Sequence, residues 1–133
     1  MPVNFKVGDS YSIEKSFSFE EVKLFSELSL DKNPVHLDSD YAQSNVFKKP
    51  IVHGVLVGGL ISAVIANYLP GPGSVYLHQS YDFKLPAYHD ERLIATVTIS
   101  DLKIDKNVFF LDTRVLNSRN EILVEGNAVI KLF

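Results

Sequence analysis

The chain has 133 residues, of which 46% are hydrophobic and 22% charged, and its formal net charge is −3. This composition predicts one globular domain, residues 1–133, and excludes a disordered chain. A nucleic-acid partner is not expected, because phosphate backbones need a concentrated basic face and no basic run exceeds Lys48-Lys49. The chain has no cysteine, which excludes disulfides and is compatible with the reducing cytoplasm, where we expect the protein to work.

The first part of the chain predicts a strand and then a helix. Residues 10–16 alternate weakly, which favours a strand. Ser18 and Glu21 have the spacing of a capping box, so a helix should begin there. Its apolar residues fall near one face: Phe19, Val22, Phe25 and Leu28. Pro34 cannot continue this helix, because proline moves the preceding residue out of the α region, and residues 39–45 predict a second, short helix.

A long apolar segment, residues 51–69, either crosses a membrane or forms a buried helix. It reaches the length of a short membrane span, but His53, Asn67 and three glycines interrupt it. A helix that is apolar on all sides is also typical of the centre of a folded domain. We therefore predict a buried helix that begins near His53, and no membrane span.

After the Pro- and Gly-rich segment 69–73 the hydrophobic period changes to two. Alternation runs through residues 75–85 and 93–100, and it continues in residues 107–116 and 121–133. This pattern predicts four strands, and their short connections favour antiparallel pairing. The expected fold class is therefore α+β, with a curved antiparallel sheet wrapped around one long central helix.

The predicted strand at residues 107–116 is apolar on both of its faces. One face carries Phe109, Leu111 and Val115, and the other carries Val108, Phe110 and Leu116. An outer apolar face left in water is unusual for a monomer. We therefore predict a homodimer or a higher homo-oligomer in which the sheets of two subunits meet.

The loop "DKNPVH", residues 31–36, has two interpretations. Asp and Asn before Pro are common turn residues that satisfy local backbone groups. Alternatively, Asp31 and His36 form an acid–base pair. The position of Gly54 supports the second interpretation, because we expect this residue in the first turn of the buried helix. The backbone amides of that turn have no internal partner and carry the positive end of the helix dipole. Such a helix start is suited to holding an oxyanion.

Gly54, Gly58 and Ser62 form a stripe of small residues along the predicted helix. The stripe indicates tight packing of helix against sheet, room for a substrate, or both. An acid–base pair beside an oxyanion site suits proton transfer next to a carbonyl and the hydration of a conjugated double bond. No metal is required, and the four histidines show neither His-x-His nor His-x-x-x-His spacing.

The segments "LSLDKNPVHLDSDYA", "FKKPIVHGVLVGGLIS" and "LPGPGSVYLHQSYDFKLPAYHDE" together resemble the MaoC-like (R)-specific enoyl-CoA hydratases. The resemblance extends from about Phe17 to the last strand. It implies a hot-dog fold and the reversible syn addition of water to a trans-2-enoyl-CoA, which gives an (R)-3-hydroxyacyl-CoA. It implies no cofactor, since the substrate carries its own coenzyme A or acyl-carrier pantetheine.

The same resemblance implies a role for each matching residue. Asp31 and His36 would be the catalytic dyad, and the amide of Gly54 would donate to the thioester oxygen. Ser62 would help to orient the dyad, and Asn33 would help to shape the loop.

Two positions depart from the family pattern, which usually has glycine in both places. Leu30 precedes Asp31, and a leucine would be strained there if the backbone needs a positive φ. His89 precedes Asp90 in an expected surface turn, where we expect little catalytic consequence.

Two other functions remain open at this point. A hot-dog acyl-CoA thioesterase would need a water-activating carboxylate on or near the central helix, and the chain has none from Gly54 to Leu69. A non-catalytic acyl-thioester-binding domain would keep the fold without the dyad.

Overall fold

The computed structural model describes residues 4–133. The strands are β1 (Ser10–Lys15), β2 (Ser74–Gln79), β3 (Asp82–Phe83), β4 (Leu93–Lys103), β5 (Val108–Asn117) and β6 (Ile122–Leu132). The helices are α1 (Phe19–Ser29), α2 (Ser39–Gln43) and α3 (Gly54–Asn67), and short 3₁₀ turns cover Pro34–His36 and Ile104–Lys106. The strands form one antiparallel sheet in the order β1-β4-β5-β6-β2, and β3 also pairs with β6.

Helix α3 packs against this sheet, and its buried side chains form the centre of the core. Val57, Ile61, Val64 and Ile65 are at most 2% exposed. Burying each side chain of this kind contributes about 1.5–3 kcal/mol, which explains why a helix with so little polar surface is stable at this position. The predicted α+β class, a sheet around one central helix, is confirmed. Within residues 4–133 no helix is long and apolar enough to cross a membrane.

The strand predicted at residues 75–85 is present in two pieces. Strands β2 and β3 both run along β6, and they are separated at Ser80 and Tyr81. The carbonyl oxygen of Ser80 lies 1.9 Å from the position that a Cβ on Gly126 would occupy. Only glycine on β6 leaves room for this approach, so the interruption depends on a residue in a different strand.

Helix α1 contacts the core through a narrower stripe than the sequence predicted. Its capping box is present, with Ser18 and Glu21 bonded to each other's backbone amides. Its buried residues are Val22 and Ser26, one turn apart, whereas Leu28 is 81% exposed. The prediction that Phe19 and Leu28 share the buried face was therefore wrong, because contact is made along the line from residue 22 to residue 26. The short helix α2 ends at Gln43, two residues before the predicted end at residue 45.

Strand β5 has the predicted buried face, but its outer face is less apolar than expected. Between the half-buried residues of the outer face, Asp112 and Arg114 point to solvent. A group of exposed apolar side chains lies instead on and beside β2 and β3, where they are 39–57% exposed: Val75, Tyr76, Leu77, Phe83 and Leu85. Strand β2 is at an edge of the sheet, so this group lies at that edge rather than over β5.

Candidate active site

The loop that carries Asp31 begins with a left-handed residue. Helix α1 ends at Ser29, and the next residue, Leu30, has φ 70° and ψ 5°. This is the conformation that the sequence identified as a difficulty for leucine, since a Cβ is strained there and glycine is not. The Leu30 side chain is 80% exposed, so packing does little to offset that strain.

The loop that follows is shaped by its own polar side chains. The backbone N–H of Asn33 donates to Asp31 Oδ1 at 3.3 Å. The side-chain oxygen of Asn33 accepts from the N–H of Val35 at 3.1 Å and caps the 3₁₀ turn that ends in His36. Asn33 therefore contacts both ends of the loop between Asp31 and His36. Its contribution to catalysis stays a prediction.

Asp31 and His36 face each other at the surface of the domain. His36 Nε2 lies 3.9 Å from Asp31 Oδ1, and the side chains are 10% and 51% exposed, respectively. The other ring nitrogen of His36, Nδ1, lies 2.9 Å from the carbonyl oxygen of Ile51. A carbonyl oxygen can only accept, so Nδ1 carries a proton, and in the neutral ring Nε2 presents a lone pair toward Asp31.

A second histidine, His53, lies directly behind this pair. It is 2% exposed, and its ring stacks on the ring of His36 with centroids 3.7 Å apart and an interplanar angle of 24°. Its Nε2 lies 3.1 Å from the carbonyl oxygen of Asp31 and 3.0 Å from Ser26 Oγ on α1. The sequence placed His53 at the start of the long helix, but contained no signal that it contacts the dyad.

A third histidine, His89, contacts the backbone of His36. Its Nε2 donates to the carbonyl oxygen of His36 at 3.0 Å, and its half-buried ring packs against Phe19. Sequence reasoning treated this position as a surface turn. The contact requires the segment before β4 to fold against the loop, and nothing in the local sequence indicates that arrangement.

Gly54 is the first residue of α3 and directly follows His53, which contacts both Asp31 and His36. The preceding residue, His53, makes no side-chain capping bond to the helix. The first amides of α3 therefore keep their capacity to bind an oxygen from a ligand. A groove of about 490 Å³ opens beside Gly54, and its lining is mainly apolar, including Phe47, Val52 and Leu85. Its size is in the range of small-molecule sites.

The stripe of small residues along α3 lies against two tyrosines. A Cβ on Gly58 would lie 2.7 Å from Tyr81 Cζ, and the Tyr81 hydroxyl donates to the Gly58 carbonyl oxygen at 3.2 Å. Partial burial raises the pKa of Tyr76, and the nearby Ser62 hydroxyl acts in the opposite direction. Among residues 4–133, Ser62 makes no hydrogen bond to either member of the dyad, and its orienting role stays a prediction.

Asp31, His36 and His53 can each offer one ligand atom within 4.8 Å of the others, as in some metal sites. Hydrogen bonds leave one candidate nitrogen on each ring. The Nε2 of His53 and the Nδ1 of His36 both face carbonyl oxygens, so both nitrogens carry protons and neither can bind a metal. The nitrogens that remain are His36 Nε2, which faces Asp31, and His53 Nδ1, which is buried.

The comparisons with known proteins agree with one another. The family model of the MaoC-like domain matches residues 5–121. The chain is 41% identical over 127 residues to the (R)-specific enoyl-CoA hydratase of Aeromonas caviae, which covers 96% of this chain and 95% of that protein. It is also 41% identical over 125 residues to the (R)-specific enoyl-CoA hydratase of Rhodospirillum rubrum, with 94% and 86% covered. The solved structure of the (R)-hydratase from A. caviae involved in PHA biosynthesis matches with TM-score 0.94 at 40% identity, over 97% of this chain and 98% of that chain.

Proposed function

Because this chain belongs to the MaoC-like family, we propose that it is an (R)-specific enoyl-CoA hydratase. The reaction is the reversible syn addition of water to a trans-2-enoyl thioester, which gives an (R)-3-hydroxyacyl thioester. The observation that carries the proposal is the pair formed by His36 Nε2 and Asp31 Oδ1, 3.9 Å apart beside the start of α3. The reaction needs no cofactor, since the substrate brings coenzyme A or acyl-carrier pantetheine.

The spacing of the dyad suits a bound water. Two acceptors 3.9 Å apart are too far for a direct hydrogen bond. A water that donates to both, with bonds of about 2.8 Å, has an angle of roughly 90° at its oxygen, which is compatible with two O–H donors. Its lone pairs then point away from the dyad, toward the substrate. Asp31 and His36 thus hold the water in the orientation that attack on C3 requires.

His36 is suited to accept the proton of that water. Its Nδ1 proton is held by the Ile51 carbonyl, so the free lone pair is on Nε2. As the water oxygen bonds to C3, its proton passes to Nε2 and the C2–C3 double-bond electrons move to the thioester oxygen. Asp31 takes this proton from His36 and delivers it to C2, which restores both groups. Both additions come from one side of the substrate, which explains syn stereochemistry.

The start of α3 is assigned to the enolate that forms between these two proton transfers. The Gly54 amide would donate to the thioester oxygen, where the positive end of the helix dipole stabilises the developing charge. A side chain at this position would have to displace the Phe83 ring, because a Cβ on Gly54 would lie 2.8 Å from that ring. The groove beside Gly54, whose lining includes neither Asp31 nor His36, would then hold the part of the substrate beyond the reacting carbons.

A homodimer is part of this proposal. Strand β2 is at an edge of the sheet, so one side of its backbone has no strand partner among residues 4–133. Its neighbourhood also carries the exposed apolar side chains, of which Leu77 is 57% exposed and Phe83 54%. Pairing of this edge between two copies would satisfy the backbone and cover the apolar surface. A cytoplasmic location is also proposed, consistent with the lack of cysteine.

The test is a series of trans-2-enoyl-CoAs with C4 to C12 chains, with chiral analysis of the 3-hydroxyacyl product. The proposal expects hydration to the (R) product without release of free thiol. An (S) product would overturn the assignment. Release of free thiol would instead identify a thioesterase, and saturable binding without turnover would identify a binding domain.

A further inference from the structure

One buried side chain, that of His53, contacts both members of the proposed dyad. Its Nε2 lies 3.1 Å from the carbonyl oxygen of Asp31. Its ring stacks on that of His36 at 3.7 Å between centroids. It also reaches back to α1 through Ser26 Oγ at 3.0 Å. His53 thus connects the helix before the loop with the two ends of the loop.

These contacts define the protonation of His53. The Asp31 carbonyl oxygen can only accept, so Nε2 carries the proton. The opposite nitrogen, Nδ1, is buried and has no hydrogen-bond partner among the described residues. A proton there would be buried without an acceptor, and burial accordingly lowers the pKa of His53. His53 is therefore a neutral aromatic ring.

A purely structural role in capping α3 does not account for this side chain. His53 occupies the N-cap position, but it makes no side-chain hydrogen bond to the helix. Its polar contacts go to α1 and to the catalytic loop instead. The α1 side of the ring is closed by Phe25, whose ring lies edge-on with centroids 4.8 Å apart.

We propose that His53 is a positioning residue for the hydration reaction: it orients the His36 ring, anchors the Asp31 backbone, and stabilises the imidazolium that forms when His36 takes the proton from water. The inference rests on the function proposed above. A neutral aromatic face attracts a cation, whereas a charged ring in the same place would repel it. The stack therefore supports His36 as a base only while His53 stays neutral.

The groups that bear on the charge of His53 are few. Desolvation has the largest effect and lowers the pKa of His53, and charge on His36 or His89 acts in the same direction. The hydrogen bond to the Asp31 backbone and the Asp31 carboxylate act in the opposite direction. Ser26 and Phe25, which complete its surroundings on α1, do not titrate in the relevant range. A shift in the pH profile of a His53 variant is therefore interpretable as an effect on His36 or Asp31.

Two substitutions in the full chain separate the two contacts. His53→Gln keeps an N–H donor for the Asp31 carbonyl but removes the stacked ring. His53→Phe keeps a ring against His36 but removes the donor. The pH dependence of kcat and kcat/KM is followed with crotonyl-CoA, and thermal melts report how far each variant is folded. The pKa of His36 is measured separately, by NMR titration of the histidine ring signals of the resting protein.

In His53→Gln, the pKa of His36 and the acidic limb of kcat/KM should both shift down by about 0.5 unit, the size of an ordinary cation–π contact. In His53→Phe both should stay near the wild-type values while kcat falls about tenfold, since the Asp31 backbone is no longer anchored. KM should change less than threefold in each variant.

Three results would overturn the inference: an unshifted His36 pKa in His53→Gln, equal shifts in both variants, or losses of kcat that only follow the unfolded fraction. A wild-type protein that does not hydrate crotonyl-CoA would count against the proposed function instead. The NMR titration would still decide whether His53 sets the basicity of His36.

Discussion

Replacing Leu30 with glycine should stabilise this protein, although it deletes an apolar side chain. A left-handed residue other than glycine costs about 1–2 kcal/mol. Leu30 holds φ 70° and is 80% exposed, so its side chain recovers little of that cost by burial. Glycine also gains freedom in the unfolded chain, which opposes the effect by about 0.4–1 kcal/mol. The net gain is about 0.8 kcal/mol.

The assay is thermal unfolding of Leu30→Gly beside Leu24→Gly. For a chain of 133 residues, about 0.8 kcal/mol corresponds to a rise in Tm of roughly 3 °C. Leu24 is also exposed, at 66%, but it lies inside α1, where glycine costs helix stability, so its variant should melt roughly 3 °C lower. A fall in Tm for both variants would refute the strain argument, because it would mean that the Leu30 side chain stabilises the loop.

Three other outcomes are expected. Gly126→Ala should lower the free energy of unfolding by about 1–3 kcal/mol, since the new Cβ would meet a backbone carbonyl. Gly59→Ala has nothing within 4 Å of its Cβ and should raise the free energy of unfolding by up to about 1 kcal/mol. Chemical denaturation measures both values. Hydrogen bonding to a lysine holds the pKa of Glu21 below its ordinary 4.5, so its stabilising effect exists above that pH and disappears as the pH falls through the lowered value. Wild type and Glu21→Gln should therefore differ in Tm at neutral pH and converge in acid. His89→Ala should lower kcat by about threefold to tenfold at unchanged KM, because the donor to the His36 carbonyl is lost, and His89→Gln should recover part of this activity. A wild-type kcat in the alanine variant would instead support the expectation from sequence that this position has little catalytic consequence.

The regular elements were predictable because their signals are local. The apolar run that forms α3 and the alternation that forms β4, β5 and β6 are properties of each segment alone. The interruption between β2 and β3 was not predictable, because the alternation continues through it and its cause is Gly126 on another strand. The buried face of α1 was predicted incorrectly for a similar reason, because the side of α1 that faces the core depends on the position of α3.

In the candidate site, too, some residues could be identified from the sequence and others could not. Asp31 and His36 were identifiable from one short loop and from the family resemblance, and the structure brings their side chains to 3.9 Å. The sequence also indicated that Leu30 would be strained if its backbone had a positive φ, and the structure gives Leu30 a positive φ. The contacts of His53 and His89 with the loop join segments far apart in sequence. No single-sequence pattern indicates them.

The most direct test of the central claim compares Asp31→Asn with Asp38→Asn in the hydration of crotonyl-CoA. Asparagine keeps the side-chain oxygen that accepts from the Asn33 amide, so the loop should hold while the carboxyl group is lost. Asp38 caps α2 through the amides of Asp40 and Tyr41, and asparagine caps equally well. We predict that the first variant loses about 10²–10⁴ of the rate and that the second stays within about twofold of wild type. A rate near wild type for Asp31→Asn would contradict the assignment of the dyad.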